Sequence, residues 1–350
     1  MRITVLAGGI GAARFLVGLR AAVAQRETPP FVGEPQITVI GNTGDDIWLY
    51  GVKICPDLDT VMYTLGGGIS ADRGWGREDE TFVVKDELSA YGQGPEWFGL
   101  GDRDLATHLV RTSLLTAGHS LSHATDVLCR RWRPGVHLLP MTDQRVETHV
   151  IVDAPGGGTE AIHFQEWWIR ERAKRRAHGF VSLGIEEAKP APGVVDALET
   201  ADVVLLPPSN PVVSIASILG VPGIREALRQ TPAPVVGVSP IVNGAPVRGM
   251  ADACLSAIGV ETTATAVAAH YGSRRTRIPT DGDGGGILDG WLIDADDAAD
   301  PSTAQHVAEL EATGISCLAM PLLMANPTES ARIAAGALNL ALSLASGDPR

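Results

Sequence analysis

The order of three segments at the N-terminus constrains the fold most strongly. An apolar run over residues 3–7 precedes a glycine-rich turn, and an amphipathic stretch then extends to about residue 24. Strand, glycine turn and helix open the nucleotide-binding unit of α/β folds, where glycines let the backbone approach phosphate. Gly8, Gly9 and Gly11 are therefore candidate substrate-binding residues. Arg14 stands where a third glycine is typical, so the loop alone indicates only weakly what is bound.

A cluster of carboxylates follows the second apolar run, which spans residues 36–40 and is typical of a buried strand. The polar residues after it are Asn42, Thr43, Asp45, Asp46, Asp57 and Asp59. Ligands of open α/β sheets bind beyond the carboxyl ends of the strands. Crowded carboxylates repel one another there unless a cation lies between them. The sequence therefore predicts a Mg²⁺ site that holds a phosphorylated substrate, with Asp45 and Asp59 as the candidate metal ligands.

Two further interpretations bear on this cluster. An Asp at a helix N-terminus accepts backbone N–H bonds, so Asp57 is equally well explained as the cap of a helix over residues 58–65. A nicotinamide-binding site would need a single Asp or Glu at the end of the second strand to bind the ribose. Asn42 stands near that point instead, which argues against a nicotinamide cofactor.

A second acidic loop begins another predicted helix, which extends to about residue 117. It contains Asp102, Arg103 and Asp104, and His108 follows one turn later. Arg103 is a candidate catalytic residue, and the other three are candidates for binding substrate. The alternatives are acidic residues that complement the dipole of a helix start, and an arginine held in a surface salt bridge.

The α/β alternation resumes near residue 193. Predicted strands over residues 202–206 and 235–238 each end in a small polar loop that begins a helix. This placement suits anion or ribose binding, so Ser209, Asn210 and Ser239 are further candidate substrate-binding residues. Ordinary turn chemistry explains each loop equally well. Near the C-terminus, Asp281 and Asp283 faintly resemble a calcium loop, but its closing Glu is absent and a solvated turn is predicted.

Composition limits the partners of the chain. The 350 residues carry a formal net charge of −13, which argues against nucleic acid and anionic membranes because their phosphates would be repelled. The four cysteines are widely spaced, as in reduced cytosolic proteins, and no apolar run is long enough to span a bilayer. We therefore expect a single cytoplasmic α/β domain over residues 1–350.

Several motifs together resemble the 2-phospholactate transferase family of deazaflavin coenzyme F-420 biosynthesis, the CofD/FbiA group. The stretches LGDRDLATH (100–108) and PDLDTV (56–61) are specific, whereas the glycine loop AGGIG (7–11) is generic. The remaining matches are NTGDD (42–46), LPMTD (139–143), HFQ (163–165), PSNP (208–211) and SPI (239–241). They occur in order along nearly the whole chain.

This resemblance implies a Rossmann-like three-layer α/β fold with a mainly parallel sheet and an inserted, partly helical region at about 66–180, which contributes to the acceptor site. It also implies Mg²⁺-dependent transfer of a phosphoenolpyruvyl or 2-phospholactyl group from a guanosine diphosphate-linked donor to the ribityl hydroxyl of the deazaflavin Fo. The products would be dehydro-F-420-0 or F-420-0, and GMP. A homodimer is expected, because a symmetric dimer is the commonest assembly of such enzymes.

The implied chemistry can be divided among the candidate residues. Asp45, with Asp59, would hold the metal against the diphosphate, and Asp46 or Asp59 would orient or deprotonate the attacking hydroxyl. Arg103 would neutralise the transferred phosphate or contact Fo. The glycine loop and the later polar loops would bind the guanosine nucleotide. Aromatic residues expected to stack on the deazaflavin ring are Trp75, Tyr91 and Trp97.

Two other function classes remain open at this point. A nicotinamide-dependent oxidoreductase shares the strand–glycine–helix opening but needs the acidic ribose contact and a hydride-transfer partner. A non-catalytic guanine-nucleotide-binding module would bind nucleotide without needing several carboxylates that face a metal.

Overall fold

Fourteen strands are found in the described part of the chain. A computed structural model describes residues 1–25, 35–70, 72–275 and 285–346. The predicted turn at Asp281 and Asp283 lies outside these ranges. The strands, in chain order, are β1 (Arg2–Ala7), β2 (Gln36–Gly41), β3 (Ile47–Leu49), β4 (Val52–Ile54), β5 (His137–Pro140), β6 (Glu147–Asp153), β7 (Thr159–His163), β8 (Ala177–Leu183), β9 (Val203–Leu206), β10 (Val235–Val238), β11 (Ile241–Val242), β12 (Ala245–Pro246), β13 (Gly290–Ile293) and β14 (Ser316–Ala319).

Helices connect most of these strands. Within the described ranges the α-helices are α1 (Gly9–Ala24), α2 (Pro56–Leu65), α3 (Val83–Ala90), α4 (Asp102–Thr116), α5 (Leu121–Trp132), α6 (Val194–Glu199), α7 (Ala216–Gly220), α8 (Ile224–Gln230), α9 (Ala251–Ala257), α10 (Ala264–Tyr271), α11 (Ala295–Ala299), α12 (Pro301–Ala312) and α13 (Pro327–Ser346). Two π-helical turns (Glu166–Arg170 and Pro211–Ile215) and one 3₁₀ turn (Ile185–Glu187) complete the set.

The central sheet has seven parallel strands in the order β14-β13-β10-β9-β1-β2-β5. The chain moves outward from β1 through β2 to β5, and then continues from β9 to the opposite edge. The strand order therefore reverses beside β1, and loops on both sides of this point leave a crevice at the carboxyl ends of the strands. This arrangement confirms the predicted Rossmann-like α/β fold.

Side chains of the buried strands alternate between two apolar clusters, one on each face of the sheet. Ile3, Val5 and Ala7 of β1 belong to the cluster that contains α1 and α13, whereas Leu6 belongs to the opposite cluster. This is the period-two pattern of a strand covered on both faces. The close approach of α1 to α13 depends on Gly18, because a Cβ there would overlap the backbone of Ser330.

The region between the central strands β2 and β9 is built from additional elements. A short hairpin (β3 and β4) and helices α2–α5 lie between β2 and β5, and an antiparallel sheet in the order β7-β6-β8 lies between β5 and β9. Strand β5 belongs to the central sheet, so the segment expected as one insertion at about 66–180 lies on both sides of a core strand. The hairpin and β8 have no counterpart in the sequence prediction.

The segment over residues 161–168 contains the end of one structure and the start of another. Strand β7 ends at His163, and a π-helical turn begins at Glu166. Phe164 and Trp167 are both buried in the same apolar cluster. In a continuous strand, side chains three positions apart would point to opposite faces, so the change of backbone direction lets both enter this cluster. The indole N–H of Trp167 donates to the Arg175 carbonyl at 2.9 Å.

No single helix in the described ranges is both long and apolar enough to cross a membrane. One pair of short segments, Pro211–Gly220 and Ile224–Gln230, meets the length and composition test only when taken together, and the pair is bent by 88°.

Candidate functional site

A cavity of about 880 Å³ lies at the carboxyl ends of the central strands. The loops after β1, β2, β9 and β10 all contribute to its lining, as do α2, α4 and the loops around Trp75 and Trp97. Ten of the predicted site residues line it, namely Gly8, Gly9, Gly11, Asp45, Asp59, Asp104, His108, Ser209, Asn210 and Ser239. The structure thus brings together residues as far apart in the sequence as Gly8 and Ser239.

The glycine loop is held against the loop that follows β9. The Ser209 hydroxyl accepts from the Gly8 N–H at 3.2 Å and donates to the Gly8 carbonyl at 2.9 Å. A Cβ on Gly11 would overlap the Pro208 carbonyl oxygen, so only glycine permits this approach. Helix α1 begins directly after Gly8 without a side-chain cap. The Gly9 N–H donates to Asp57, and the next N–H groups of this uncapped turn are available to an anion in the cavity.

Asn42 joins two buried carboxylates at the floor of the cavity. Its amide nitrogen donates to Asp45 Oδ1 and to Asp57 Oδ2, each at 2.9 Å, and its amide oxygen accepts from the Gly44 N–H at 2.9 Å. Gln165 donates to Asp45 Oδ2 at 3.3 Å and to the Asp45 carbonyl at 3.1 Å. Asn42 itself is fully buried and does not line the cavity, so it positions the two carboxylates.

Asp57 is not the cap of α2. The residue before the helix is Cys55, which makes no side-chain cap bond, and Asp57 lies inside the first turn. The helix begins two residues earlier than predicted because Pro56 occupies its first position, where proline is favoured. The side chain of Asp57 is consequently directed to Asn42 and lines the cavity.

The Asp45–Asp57 pair is buried without an ion-pair partner in the described ranges. Burial, together with the negative charges of Asp57 and Asp46, raises the pKa of Asp45 well above its usual range. Burial likewise raises the pKa of Asp57 to about 7, although the Asn42 amide and the Gly9 N–H oppose the change. No Lys, Arg or His in the described ranges forms an ion pair with either carboxylate. Two such carboxylates suit a divalent cation with oxygen ligands.

Asp46 lies below the cavity floor and does not line it. Its Oδ2 is 3.1 Å from Lys53 Nζ and accepts from the Cys55 thiol at 3.1 Å, and both Asp46 and Lys53 are buried. Burial still raises the pKa of Asp46 against the opposing effect of Lys53. Asp46 therefore belongs to a buried ion pair with Lys53 that does not line the cavity. Thr43 is likewise buried and does not line the cavity.

Asp59, on the wall of the cavity, is paired with a buried arginine. Both terminal nitrogens of Arg111 donate to it, Nη1 to Oδ2 at 3.1 Å and Nη2 to Oδ1. Only 1 % of the Arg111 surface is exposed. This two-point contact satisfies the charge of Asp59 within the chain, in contrast to Asp45 and Asp57.

His108 lies between Asp59 and Asp104. Its Nδ1 is 3.6 Å from Asp59 Oδ2, and its Nε2 is 3.4 Å from Asp104 Oδ2. The Tyr63 hydroxyl donates to Asp104 Oδ1 at 2.6 Å. Burial acts to raise the pKa of Asp104, but His108 and the Tyr63 hydroxyl outweigh it and hold that pKa below its usual value. Asp104 is thus kept ionised by its neighbours.

Arg103 and Asp102, which the sequence analysis gave as candidates for acting on substrate, do not line the cavity. The Arg103 guanidinium is about half exposed and lies 3.8 Å from the exposed Asp79 carboxylate. Asp102 accepts from the N–H groups of Val83 and Val84 at 3.0 and 2.9 Å. It therefore caps the N-terminus of α3 from another helix. Successive residues of α4 differ by about 100° in direction, so Arg103 cannot share the inward face of Asp104.

The later polar loops combine turn chemistry with cavity lining. Asn210 Oδ1 accepts from the N–H groups of Val212 and Val213, which caps the π-helical turn after β9. The Ser239 hydroxyl donates to the Ile241 carbonyl at 2.8 Å and accepts from the Ile241 N–H at 3.1 Å. Both side chains therefore make hydrogen bonds within the loops that border the cavity.

Aromatic side chains contribute much of the remaining lining of the cavity. Those that line it are Trp75, Trp97, Phe98, Phe164 and Trp168. Trp75 packs close to Gly99, and its segment is joined to the loop after β12 by a hydrogen bond from Arg248 to the Arg73 carbonyl at 2.9 Å. Tyr91, expected to stack on a ring, does not line the cavity and is 78 % exposed.

Sequence reasoning missed Arg111, Gln165 as a partner of Asp45, and Trp168. Arg111 was detectable, since Asp104, His108 and Arg111 recur at i, i+4 and i+7 and so share one face of α4. The HFQ stretch marked Gln165 without indicating its partner, and Trp168 had no comparable signal, because the π-helical turn that orients this segment was not predicted.

Comparisons with known proteins show which family and fold this chain is similar to. The family model described as 2-phospho-L-lactate transferase CofD matches residues 3–320. The chain is 59 % identical to a phosphoenolpyruvate transferase of Streptomyces griseus over 97 % of this chain and 98 % of that protein. It is 58 % identical to one of Thermobifida fusca over 98 % and 99 %, respectively. A crystal structure from Bacillus halodurans, described as a member of the upf0052 family, shares the fold with TM-score 0.59 at 17 % identity, covering 95 % of this chain and 97 % of that one.

Proposed function

Because this chain belongs to the CofD family of 2-phospho-L-lactate transferases, we propose that it transfers a phosphoenolpyruvyl group from enolpyruvyl-diphospho-5'-guanosine to the deazaflavin Fo. The chain is an enzyme of this transferase family. The choice of an enolpyruvyl donor follows the curated relatives, which are named phosphoenolpyruvate transferases. Transfer to Fo would give dehydro-F-420-0 and GMP, a step of coenzyme F-420 biosynthesis.

One observation carries the proposal: the Asp45–Asp57 pair lies beside the uncapped start of α1 and the glycine loop, in one cavity. N–H donors at a helix start favour the diphosphate of a nucleotide. Two carboxylates without a basic partner favour the metal that accompanies such a diphosphate. A nicotinamide dehydrogenase would use the end of β2 to bind ribose, whereas Asn42 there is fully buried and bonded to both carboxylates.

Asp45 and Asp57 would hold Mg²⁺. Their oxygens suit this ion, their raised pKa values reflect a charge that a dication relieves, and both line the cavity. When bound, Mg²⁺ would neutralise charge on the diphosphate. The sequence analysis gave Asp59 as the second metal ligand. We assign this role to Asp57 instead, because Arg111 already pairs with Asp59. The role predicted for Asp46 likewise finds no support in its position below the floor.

In the reaction, an oxygen of the ribityl hydroxyl attacks the phosphorus that bears the enolpyruvyl group. A new P–O bond to Fo forms, the bridging P–O bond breaks, and its electron pair leaves on the phosphate of GMP. The proton of the hydroxyl is released as the new ester forms. The protein mainly positions the two substrates in line, as in phosphoryl transfer generally. The aromatic side of the cavity is suited to the tricyclic ring of Fo.

The direct test is incubation of the purified chain with Fo, Mg²⁺ and either the enolpyruvyl or the lactyl donor. We expect mass spectrometry to detect the phosphoester of Fo together with an equal amount of GMP, with the enolpyruvyl donor used in preference. Release of GMP without a Fo adduct would indicate a hydrolase and would contradict the proposal. Preference for the lactyl donor would retain the reaction and change the donor.

A further inference from the structure

A second cavity, of about 280 Å³, shares no lining residue with the central one. It lies between helix α9 and the segment that joins the π-helical turn at Glu166–Arg170 to β8. Its lining residues are Trp167, Ala173, Arg175, Arg176, Ala177, His178, Ala253, Ser256 and Ala257. Three of them are basic and none is acidic, although the whole chain has a formal net charge of −13. The charge of this lining is thus opposite in sign to that of the chain.

The segment over residues 170–176 concentrates basic residues in one short turn. It contains five of the 28 lysines and arginines of the chain and one acidic residue, Glu171. Arg172 and Ala173 both adopt left-handed backbone conformations, with φ of 51° and 53°. Such conformations cost free energy in residues other than glycine. The turn that they form brings Arg175 and Arg176 to the same cavity.

Arg175 is held in place by its neighbours. Its guanidinium pairs with Glu160 and Glu171 and donates to the Asp153 carbonyl. Its own carbonyl accepts from the indole N–H of the fully buried Trp167 at 2.9 Å. The charge of Arg175 is therefore balanced within the chain, and this residue shapes the wall of the cavity.

Arg176 differs, because it forms neither an ion pair nor a side-chain hydrogen bond with the residues that the structure describes. The carboxylates of this region pair with other basic residues, namely Glu166 with Arg170, Glu160 and Glu171 with Arg175, and Asp153 with His178. A guanidinium carries its donors in a planar fork that matches the oxygens of a phosphate group. Arg176 thus presents an unused fork at the cavity.

Two further donors line the cavity beside Arg176. The Ser256 hydroxyl of α9 has no hydrogen-bond partner within the described part of the chain. His178 Nε2 lies 2.6 Å from Asp153 Oδ1, which leaves Nδ1 as the ring nitrogen without a described partner. A guanidinium, a hydroxyl and an imidazole approach from different elements, as the several oxygens of a tetrahedral anion require.

The C-terminal end of α9 could by itself explain a basic neighbour, because the helix dipole is negative there. However, the residues after the helix already bind its last carbonyls. The Leu255 carbonyl accepts from the N–H groups of Ile258 and Val260 at 3.1 and 3.0 Å. Capping of α9 therefore does not require Arg176.

The size of the cavity limits its occupant. Pockets for small molecules usually measure about 300–1,000 Å³, so 280 Å³ suits one phosphate group with a small substituent and is too small for a nucleotide. Negative charges elsewhere on the chain do not prevent binding, since the screening length is about 8 Å at physiological ionic strength. The basic residues that line the cavity lie within that distance of a bound anion.

We propose that this cavity binds a small phosphate-bearing anion, with Arg176 as the charged anchor and Ser256 and His178 as hydrogen-bond donors. Arg175 is a positioning residue, because its guanidinium is occupied by carboxylates of the chain. The site is separate from the central cavity, and its assignment does not depend on the substrates proposed above.

The test titrates the full chain with inorganic phosphate by calorimetry, at constant ionic strength and at about pH 7.5, where phosphate is mostly dianionic. We expect a saturable component with a dissociation constant of about 1 mM or below. Arg176→Gln and Ser256→Glu should each weaken this component by about 10-fold or more. Phosphate bound in the central cavity would not respond to either substitution.

Lys174→Gln is the matched control. Lys174 lies in the same basic turn, is exposed and does not line the cavity. All three substitutions change the formal charge by the same amount, so only the position of the change differs. Lys174→Gln should alter phosphate affinity by less than about 2-fold. The thermal unfolding temperature of each variant should match that of wild type, because all three residues are exposed.

Each other result would overturn the assignment. Equal weakening by all three substitutions would indicate general attraction by the basic turn. A dissociation constant above about 1 mM, or no component that Arg176→Gln weakens, would indicate an adventitious ion only. Binding of a polyglutamate peptide without a phosphate component would indicate a surface that docks an acidic protein.

Discussion

The Asp45–Asp57 pair and the Asp59–Asp104 pair line the same cavity, but within the described chain only the second pair includes a carboxylate bound by a basic side chain. Asp59 is bound by Arg111, and Asp104 by Tyr63. Asp45 and Asp57 share a neutral amide, that of Asn42. Burial therefore raises the pKa of the first pair, whereas the neighbours of Asp104 hold its pKa low.

This difference shows how one acidic cavity can provide two kinds of site. A pair that is left without a counter-charge is unfavourable when empty and creates affinity for a dication. A pair that is satisfied internally has no such need and is available as a set of hydrogen-bond acceptors. Aspartates two residues apart in the sequence, Asp57 and Asp59, thus have different partners.

Removing the unpaired carboxylates should have the largest effect. Asp57→Asn should lower kcat/KM by about 1,000-fold or more, that is by ~4 kcal/mol, because metal-dependent charge stabilisation is lost. Thermal unfolding without Mg²⁺ should occur at a temperature equal to or above that of wild type, since a repulsive buried charge is removed. Asp126→Asn provides the matched control, because Asp126 lies on the exposed face of α5 and pairs with Arg130. Activity within a few-fold of wild type would remove Asp57 from the metal site and restore Asp59 as the candidate.

The reason that the sequence did not separate Asp57 from Asp59 is geometric. Residues i and i+2 of a helix point about 200° apart, so only one of them can face a given partner. Asn42 binds Asp57, and Arg111 binds Asp59 from a position 52 residues away in the sequence. A motif such as PDLDTV indicates that carboxylates are present, but distant residues determine which way each is directed.

The fold was more accessible from the sequence. Apolar runs that end in glycine or small polar residues and are followed by amphipathic stretches predict a parallel sheet with a crevice at the strand ends, and the seven-stranded sheet confirms it. The hairpin of β3 and β4 escaped prediction because its strands have three residues each, too few for a period to show. The π-helical turn at Glu166 escaped for a similar reason, since five residues define no periodicity.

Removing the arginine that pairs with Asp59 should lower stability, whereas the substitution of Asp57 should lower activity. Arg111→Met should lower the free energy of unfolding by about 3–5 kcal/mol, because Asp59 would be left as a buried charge without its partner. Urea denaturation measures this value. The double variant Arg111→Met with Asp59→Asn should recover part of the loss. A single variant as stable as wild type would show that Asp59 is neutralised by other means.

The two pairs should also differ in how pH affects them in the absence of metal. The pKa of Asp57 is raised to about 7 from 3.8. An acid whose pKa is higher in the folded state stabilises the fold below its unfolded pKa and loses that contribution as the pH rises through about 7. Metal-free wild type should therefore be less stable at about pH 8 than at about pH 5.5, and excess Mg²⁺ should reduce the difference.

Asp57→Asn provides the control for this pH dependence, because it removes the titrating group. Its free energy of unfolding should vary less with pH between the same two values, and Mg²⁺ should have little effect on it. Stability of the metal-free wild type that increases towards pH 8 would contradict the burial of the Asp45–Asp57 pair without an ion-pair partner.

The smallest effect is expected for Arg103, which lies beside Asp104 in the sequence but on the outer face of α4. Arg103→Ala should change kcat/KM by less than about 2-fold and stability by less than about 1 kcal/mol, because its ion pair with Asp79 is exposed. Asp104→Asn, one position away, should raise the KM for Fo instead. Steady-state kinetics with Fo as the varied substrate compare the two directly. A large loss of kcat in Arg103→Ala would mean that the acidic loop rearranges on binding and brings this guanidinium to the substrate.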